Sequence, residues 1–130
     1  MIYLDTSALV KLVVEEAETA ALRRFIAEVD QQSLITSALS RAELLRAAHR
    51  LGSEALAKAR EVLDSITAIT INEALLDAAG VIGPPTLRTL DAIHLATAAE
   101  LGVELRGFVA YDVRLLAAAG RAAIPTLTPR

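Results

Sequence analysis

The 130-residue chain contains no cysteine. That excludes disulfide staples, thiol nucleophiles and cysteine-ligated zinc. Its two histidines are too few for a zinc site built on imidazole. Aromatic residues make up only 3 % of the chain, so platforms for stacking single-stranded bases are scarce. No apolar run nears the roughly 20 residues that a membrane-spanning helix needs. The opening Met1–Asp5 lacks a basic leader, and Asp5 and Lys11 interrupt any apolar core of an export signal, so the expectation is a cytoplasmic protein with no membrane partner. Basic charge is also in short supply. Thirteen Lys and Arg stand against 16 Asp and Glu, a net charge of −3, which at face value disfavours a nucleic-acid partner.

What the chain does have is apolar bulk. Hydrophobic residues are 54 % of it, enough to offset chain entropy in a folded core, and the length fits a single domain spanning residues 1–130. Ile2-Tyr3-Leu4 reads as a short buried strand that stops at Asp5. A helix begins at Thr6-Ser7, with Leu9, Val10, Leu12 and Val13 apolar and Lys11 out of phase. A second helix is expected from about Ala17 to Val29, and a strand at Ser33–Ile35. Leu39–Leu51, closed by Gly52, and Ser53–Ser65 read as two helices joined tightly enough to form an antiparallel hairpin, about 38–65. Ile66–Ile71 alternates as a strand and Glu73–Val81 is helical, followed by the turn Gly83-Pro84-Pro85. Thr89 is placed to cap a helix reaching Leu101. Gly107–Ala110 reads as a strand, Asp112–Ala119 as a helix ending at Gly120, and Ile124–Leu127 as an edge strand that tolerates Pro125.

Strands separated by helices imply an α/β fold in three layers, with a central, mostly parallel sheet of four or five strands. Such sheets bind ligands beyond the carboxyl ends of their strands. Asp5 follows the first strand directly, and Asp112 follows the Gly107–Ala110 strand. Asp91 lies in the first turn of its helix, and Glu43 lies inside the first helix of the hairpin.

Each acid has a structural reading beside the functional one. An Asp near a helix start is favoured by capping and by the helix dipole. Glu43 shares a face with Arg46 and Arg50, a pattern that fits a solvated ion-pair strip. If the four acids meet, however, structure alone does not favour the cluster. Two carboxylates about 5 Å apart repel by about 3 kcal/mol at an effective dielectric near 20, whereas a cap or dipole contributes about 0.3–2 kcal/mol. Such a cluster calls for a cation, and an all-oxygen donor set selects Mg²⁺ or Mn²⁺. The chemistry natural to that ion is phosphoryl transfer.

The segments that carry these acids resemble the motifs of the PIN-domain family. The resemblance runs through Tyr3-Leu4-Asp5-Thr6-Ser7-Ala8-Leu9-Val10-Lys11-Leu12 and Ser40-Arg41-Ala42-Glu43-Leu44. It continues in Leu90-Asp91-Ala92-Ile93-His94-Leu95-Ala96-Thr97-Ala98 and in Phe108-Val109-Ala110-Tyr111-Asp112. The size is similar to that of the VapC-type toxins of bacterial toxin–antitoxin pairs. This resemblance implies a metal-dependent endoribonuclease in which Asp5, Glu43, Asp91 and Asp112 share one acidic pocket. Asp5 and Asp91 are then direct ligands of Mg²⁺ or Mn²⁺, with Glu43 and Asp112 completing the pocket through water or a second ion. Thr6 and Ser7 would orient Asp5 or a water. It further implies an RNA substrate, a cognate antitoxin that occludes the pocket, and commonly a homodimer. The Gly83-Pro84-Pro85 turn departs from the family pattern and affects the pocket rim.

Among the remaining residues, His94 reads as a packing or hydrogen-bonding residue rather than a ligand, and His49 as a surface residue. Tyr3 and Phe108 belong to the core, leaving Tyr111 as the one aromatic near the site. Arg46 and Arg50, with the other basic residues of the hairpin, form a candidate grip on the RNA backbone. Setting the four acids aside leaves the rest of the chain at +1. Competing enzyme classes fail on specific residues. A phosphatase with an Asp-x-Asp start has Ser7 where its second acid belongs, a receiver domain lacks its late Lys because Lys58 is the last, and no glycine-rich dinucleotide loop or P-loop is present. The remaining alternative is a non-catalytic PIN-like module that binds RNA or protein.

Overall fold

The computed structural model describes residues 1–130. Five strands, β1 (Ile2–Leu4), β2 (Leu34–Ser37), β3 (Thr67–Ile69), β4 (Gly107–Val109) and β5 (Thr126–Leu127), form one sheet in the order β3-β2-β1-β4-β5. Every pairing is parallel. The chain grows outward from β1 through β2 to β3, then returns across the sheet to place β4 on the other side of β1. The direction of winding therefore reverses between β1 and β4, which is where an open parallel sheet forms its crevice.

Period-two alternation sorts side chains to the two faces. Ile2, Leu4, Leu34 and Val109 join one apolar cluster with Leu9, Leu22, Leu44, Ala59 and Leu63. Those partners come from α1 (Thr6–Val13), α2 (Thr19–Ala27), α3 (Leu39–His49) and α4 (Ser53–Asp64). Tyr3, Ile35, Phe108 and Ala110 point the other way, against Leu95, Ala98, Leu115 and Ala119 of α6 (Thr89–Ala99) and α7 (Val113–Arg121). α5 (Glu73–Val81) packs on α6 through Leu75, Ala79, Ala92, Ile93 and Ala96. Tyr3 and Phe108 sit side by side in register and stack at 5.2 Å with their planes 7° apart. No helix is long and apolar enough to cross a membrane.

The element boundaries differ from the sequence expectations at several ends. The second helix is two residues shorter at each end. β2 extends to Ser37, beyond the anticipated Ile35, because Thr36 and Ser37 pair with β3. β3 keeps only the three central residues of the 66–71 segment, and β5 only two of the residues 124–127. Thr89 and Ser53 are first-turn residues. The caps before them are Arg88 and Gly52, neither with a capping side chain. Gly52 has φ +115°, a conformation only glycine adopts freely, and it turns α3 into α4 to give the anticipated hairpin. Gly120 lies within α7 instead of ending it. Lys11 is not on a solvent-facing side of α1. It is buried, with its ammonium 2.9 Å from Glu18, 3.6 Å from Glu16, and 4.6 Å above the Tyr111 ring.

Candidate functional site

Asp5 stands one residue beyond β1, its backbone N–H donating to Val109 O of β4 at 3.1 Å. It therefore sits at the mouth of the crevice between β1 and β4. Its Oδ1 accepts from Ser7 Oγ (2.6 Å) and, as the cap of α1, from the Ala8 N–H (3.0 Å). Both bonds fall on one oxygen. Oδ2 has no protein donor and is not sealed from solvent. Burial pushes the Asp5 carboxyl up to about 6 in spite of these bonds, and the neighbouring charge of Asp91 adds to the rise.

Ser7 does a second job. Its Oγ accepts from the Tyr111 N–H at 3.0 Å, tying the start of α1 to the loop after β4. That loop leads to Asp112, whose Oδ1 caps α7 by accepting from the Leu115 N–H at 2.9 Å. Asp5 and Asp112 thus perform the capping that their positions suggested, and each does so with one oxygen only. Asp91 does not cap α6. It lies in the first turn, and its Oδ2 accepts from Arg88 Nε at 3.2 Å. The same guanidinium reaches Asp112 Oδ2 at 3.7 Å, so Arg88 ties Asp91 to Asp112.

Glu43 belongs to a different set of contacts. Its Oε1 accepts from Thr6 Oγ1 (2.7 Å) and from His94 Nε2 (2.6 Å). Burial raises its carboxyl, but the two hydrogen bonds and the His94 ring outweigh burial and hold it below the usual Glu value. His94 is buried in α6, three residues after Asp91, and its Nδ1 bonds the Tyr3 hydroxyl at 2.7 Å. Burial, with the charges of Asp5 and Glu43, raises the Tyr3 hydroxyl far above its ordinary pKa, so it stays protonated and donates to the ring. Behind Thr6, Ser40 and Thr36 continue the chain: Thr36 Oγ1 is 2.6 Å from Ser40 Oγ and donates to Leu4 O at 2.7 Å.

Asp5 therefore feels the charge of Asp91, Arg88 ties Asp91 to Asp112, and Glu43 bonds Thr6 next to Asp5 and His94 one turn after Asp91. No three acidic or imidazole side chains converge on one point as they stand. Thr6 orients Glu43 and not Asp5, whereas Ser7 holds Asp5. Glu43 makes no ion pair with Arg46 or Arg50, because its carboxylate turns inward to Thr6 and His94 while both arginines remain exposed. Tyr111 does not line the crevice. Its ring lies under Lys11, and its hydroxyl donates to Pro129 O at 2.8 Å.

Sequence reasoning missed Ser40, Thr36, Tyr3 and Arg88 as site residues. Ser40 was detectable as a polar residue one turn before Glu43 on the same helix face, and Arg88 as a cation three residues before Asp91. The donor set fits a hard divalent cation. It is made of carboxylate oxygens, and Asp5 keeps one oxygen free of any protein donor.

The family model described as PIN domain matches residues 2–122. Ribonuclease VapC47 of Mycobacterium tuberculosis is 43 % identical over 132 residues, covering 99 % of this chain and 97 % of that protein. Among solved structures, M. tuberculosis VapC20, described as a Sarcin-Ricin loop cleaving toxin, superposes with a TM-score of 0.74 at 20 % identity. That match covers 91 % of this chain and 95 % of that one. FitAB bound to an IR36 DNA fragment superposes with a TM-score of 0.77 at 15 % identity, covering 99 % and 95 %. The two structures support the fold, and the sequence match to VapC47 places the chain within a narrower group. Crevice, motifs and matches agree, and the chain belongs to the PIN-domain family, in its VapC branch.

Proposed function

We propose that the protein is a Mg²⁺- or Mn²⁺-dependent endoribonuclease, the toxin of a type II toxin–antitoxin pair, acting on cytoplasmic RNA. The observation that carries this reading is Asp5. A buried carboxylate with a raised pKa and one oxygen free of any protein donor is a costly way to cap a helix, and it is well suited to a divalent cation. A non-catalytic module gains nothing from that arrangement beside Asp91.

Asp5 and Asp91 are the residues that would hold the ion directly, with Asp112 and Glu43 at its periphery. When bound, the ion supplies a more nucleophilic water at neutral pH and stabilises charge on the phosphate oxygens. The protein's own groups do the rest. Ser7 fixes Asp5 and the Tyr111–Asp112 loop together, so the two sides of the crevice keep one spacing. Thr6 and His94 hold Glu43 ionised, with its second oxygen available to a proton or a water. Arg88, largely exposed, is placed to meet the phosphate of an RNA diester as it is attacked in line. A cognate antitoxin that covers this crevice is the proposed partner, in keeping with the similarity to VapC proteins, and a homodimer is the proposed assembly.

The direct test is cleavage of end-labelled RNA by purified protein with Mn²⁺. The wild type cleaves internally, and chelator or Asp5→Asn abolishes cleavage. Cleavage that survives both contradicts the proposal.

A further inference from the structure

The hairpin keeps four unpaired arginines, Arg41, Arg46, Arg50 and Arg60, but its interspersed acids leave it a net charge of only +1. Residues 38–65 carry five Lys and Arg against four Asp and Glu, and Lys58 already pairs with Glu61 at 3.5 Å. A different surface gathers its cations around a single cavity. Arg88, Arg114 and Arg121 line one cavity of about 270 Å³ together with Pro84, Thr86 and Ala117, and Asp91 is its only acid. Arg114 and Arg121 are exposed, seven residues apart on one face of α7, and neither is paired with a carboxylate. They stand about 10 Å apart along the helix axis. Ala117 lies between them and leaves the space open.

Helix stability accounts for Arg121, a cation in the last turn of α7, and in part for Arg88 through its pair with Asp91, but not for Arg114. Arg114 is in the first turn of α7, where the helix dipole opposes a cation. Arg88 occupies the cap position of α6, where Ser, Thr, Asp or Asn is favoured, and it makes no capping bond. Two cations in positions that disfavour cations both face one cavity, and that cavity adjoins a candidate metal ligand.

We infer that this cavity, between the Pro84–Thr86 turn and α7, seats a backbone phosphate of the RNA next to the one being cleaved, with Arg114 and Arg121 gripping it and Arg88 shared with the reacting phosphate. The inference rests on the ribonuclease reading and identifies its substrate track: α7 and the Pro84–Thr86 turn, not the α3–α4 hairpin. A guanidinium matches two phosphate oxygens at once, and backbone contacts of this kind position RNA without reading its bases.

The test uses the full chain with a fluorescent single-stranded RNA, bound in chelator and cleaved with Mn²⁺. Arg114→Ala/Arg121→Ala weakens binding roughly fivefold per arginine and flattens the dependence of log K on log salt by about 0.7 for each charge removed. KM rises, while the rate at saturating RNA changes less than threefold. Ala117→Leu, which fills the cavity without altering charge, weakens binding too, and Arg46→Ala/Arg50→Ala leaves it within twofold. Circular dichroism verifies that each variant is folded. The inference is overturned if the hairpin pair weakens binding and the α7 pair does not. It is also overturned if the α7 variants lose binding of poly-glutamate while RNA binding and cleavage stay intact, since the cavity then serves an acidic protein segment. A wild type that neither binds nor cleaves RNA overturns the ribonuclease reading itself, an outcome distinct from either of these.

Discussion

His94 Nε2 donates to Glu43 Oε1 at 2.6 Å, joining α6 to α3 across 51 residues of sequence. The same ring holds the buried Tyr3 hydroxyl, so one side chain fixes both the orientation of an acid at the site and the core beneath it. His94→Ala leaves the Tyr3 hydroxyl without its partner and opens a cavity. Its expected cost is about 2–4 kcal/mol in urea denaturation. Glu43→Gln keeps an acceptor for both Thr6 and His94 and should cost less than about 1.5 kcal/mol, while lowering the Mn²⁺-dependent cleavage rate at least tenfold. A Glu43→Gln enzyme with full activity would make Glu43 purely structural.

The raised pKa of Asp5 makes stability depend on pH with a definite sign. Because the folded state holds this proton more tightly than the unfolded chain, metal-free protein loses stability as pH rises from about 4 to about 6. The loss is at most about 3 kcal/mol. Glu43 acts in the opposite sense and at lower pH, because its stabilising contribution is lost as pH falls through its depressed pKa. Asp5→Asn keeps a capping side chain and should flatten the slope between pH 4 and 6, measured by chemical denaturation in chelator. An unchanged slope would show that Asp5 is not the titrating group.

Arg88 is the cation that Asp91 and Asp112 share in the metal-free protein. A divalent ion has to compete with it. Arg88→Ala should therefore raise Mn²⁺ affinity by up to about fivefold, the worth of an exposed ion pair, as read by isothermal titration calorimetry. RNA binding should weaken in the same variant. A weaker Mn²⁺ affinity would mean that Arg88 supports the ion site and does not compete for it.

Ser7 donates to Asp5 and accepts from the Tyr111 N–H, so its hydroxyl spans the two strands that frame the crevice. Ser7→Ala leaves that N–H unpaired and costs about 1–3 kcal/mol. Losing its bond to Asp5 raises the Asp5 carboxyl further. Activity in Ser7→Ala should consequently recover with rising pH more than in the wild type, which a pH–rate profile will show.

The order of strands and helices was legible because each apolar segment is short, punctuated and periodic, and the Asp5 and Asp112 positions followed from the rule for parallel sheets. The partners of those acids were not legible. Thr6 meets Glu43 across 37 residues and Ser7 meets Tyr111 across 104, distances over which no local periodicity operates. Lys11 misled for a related reason. Its α1 neighbours place it on a face that local polarity marks as solvent, and only the folding back of Glu18 and Tyr111 supplies its partners. A sequence shows where charges lie in a row, as in the hairpin, and not which of them surround a cavity, as Arg88, Arg114 and Arg121 do.

The central claim, that this crevice hydrolyses RNA, is tested most directly by sequencing RNA 5′ ends from cells expressing either the wild type or Asp91→Asn at matched levels. A defined set of internal ends should appear with the wild type and vanish with Asp91→Asn. The same ends in both, or none in either, would contradict it.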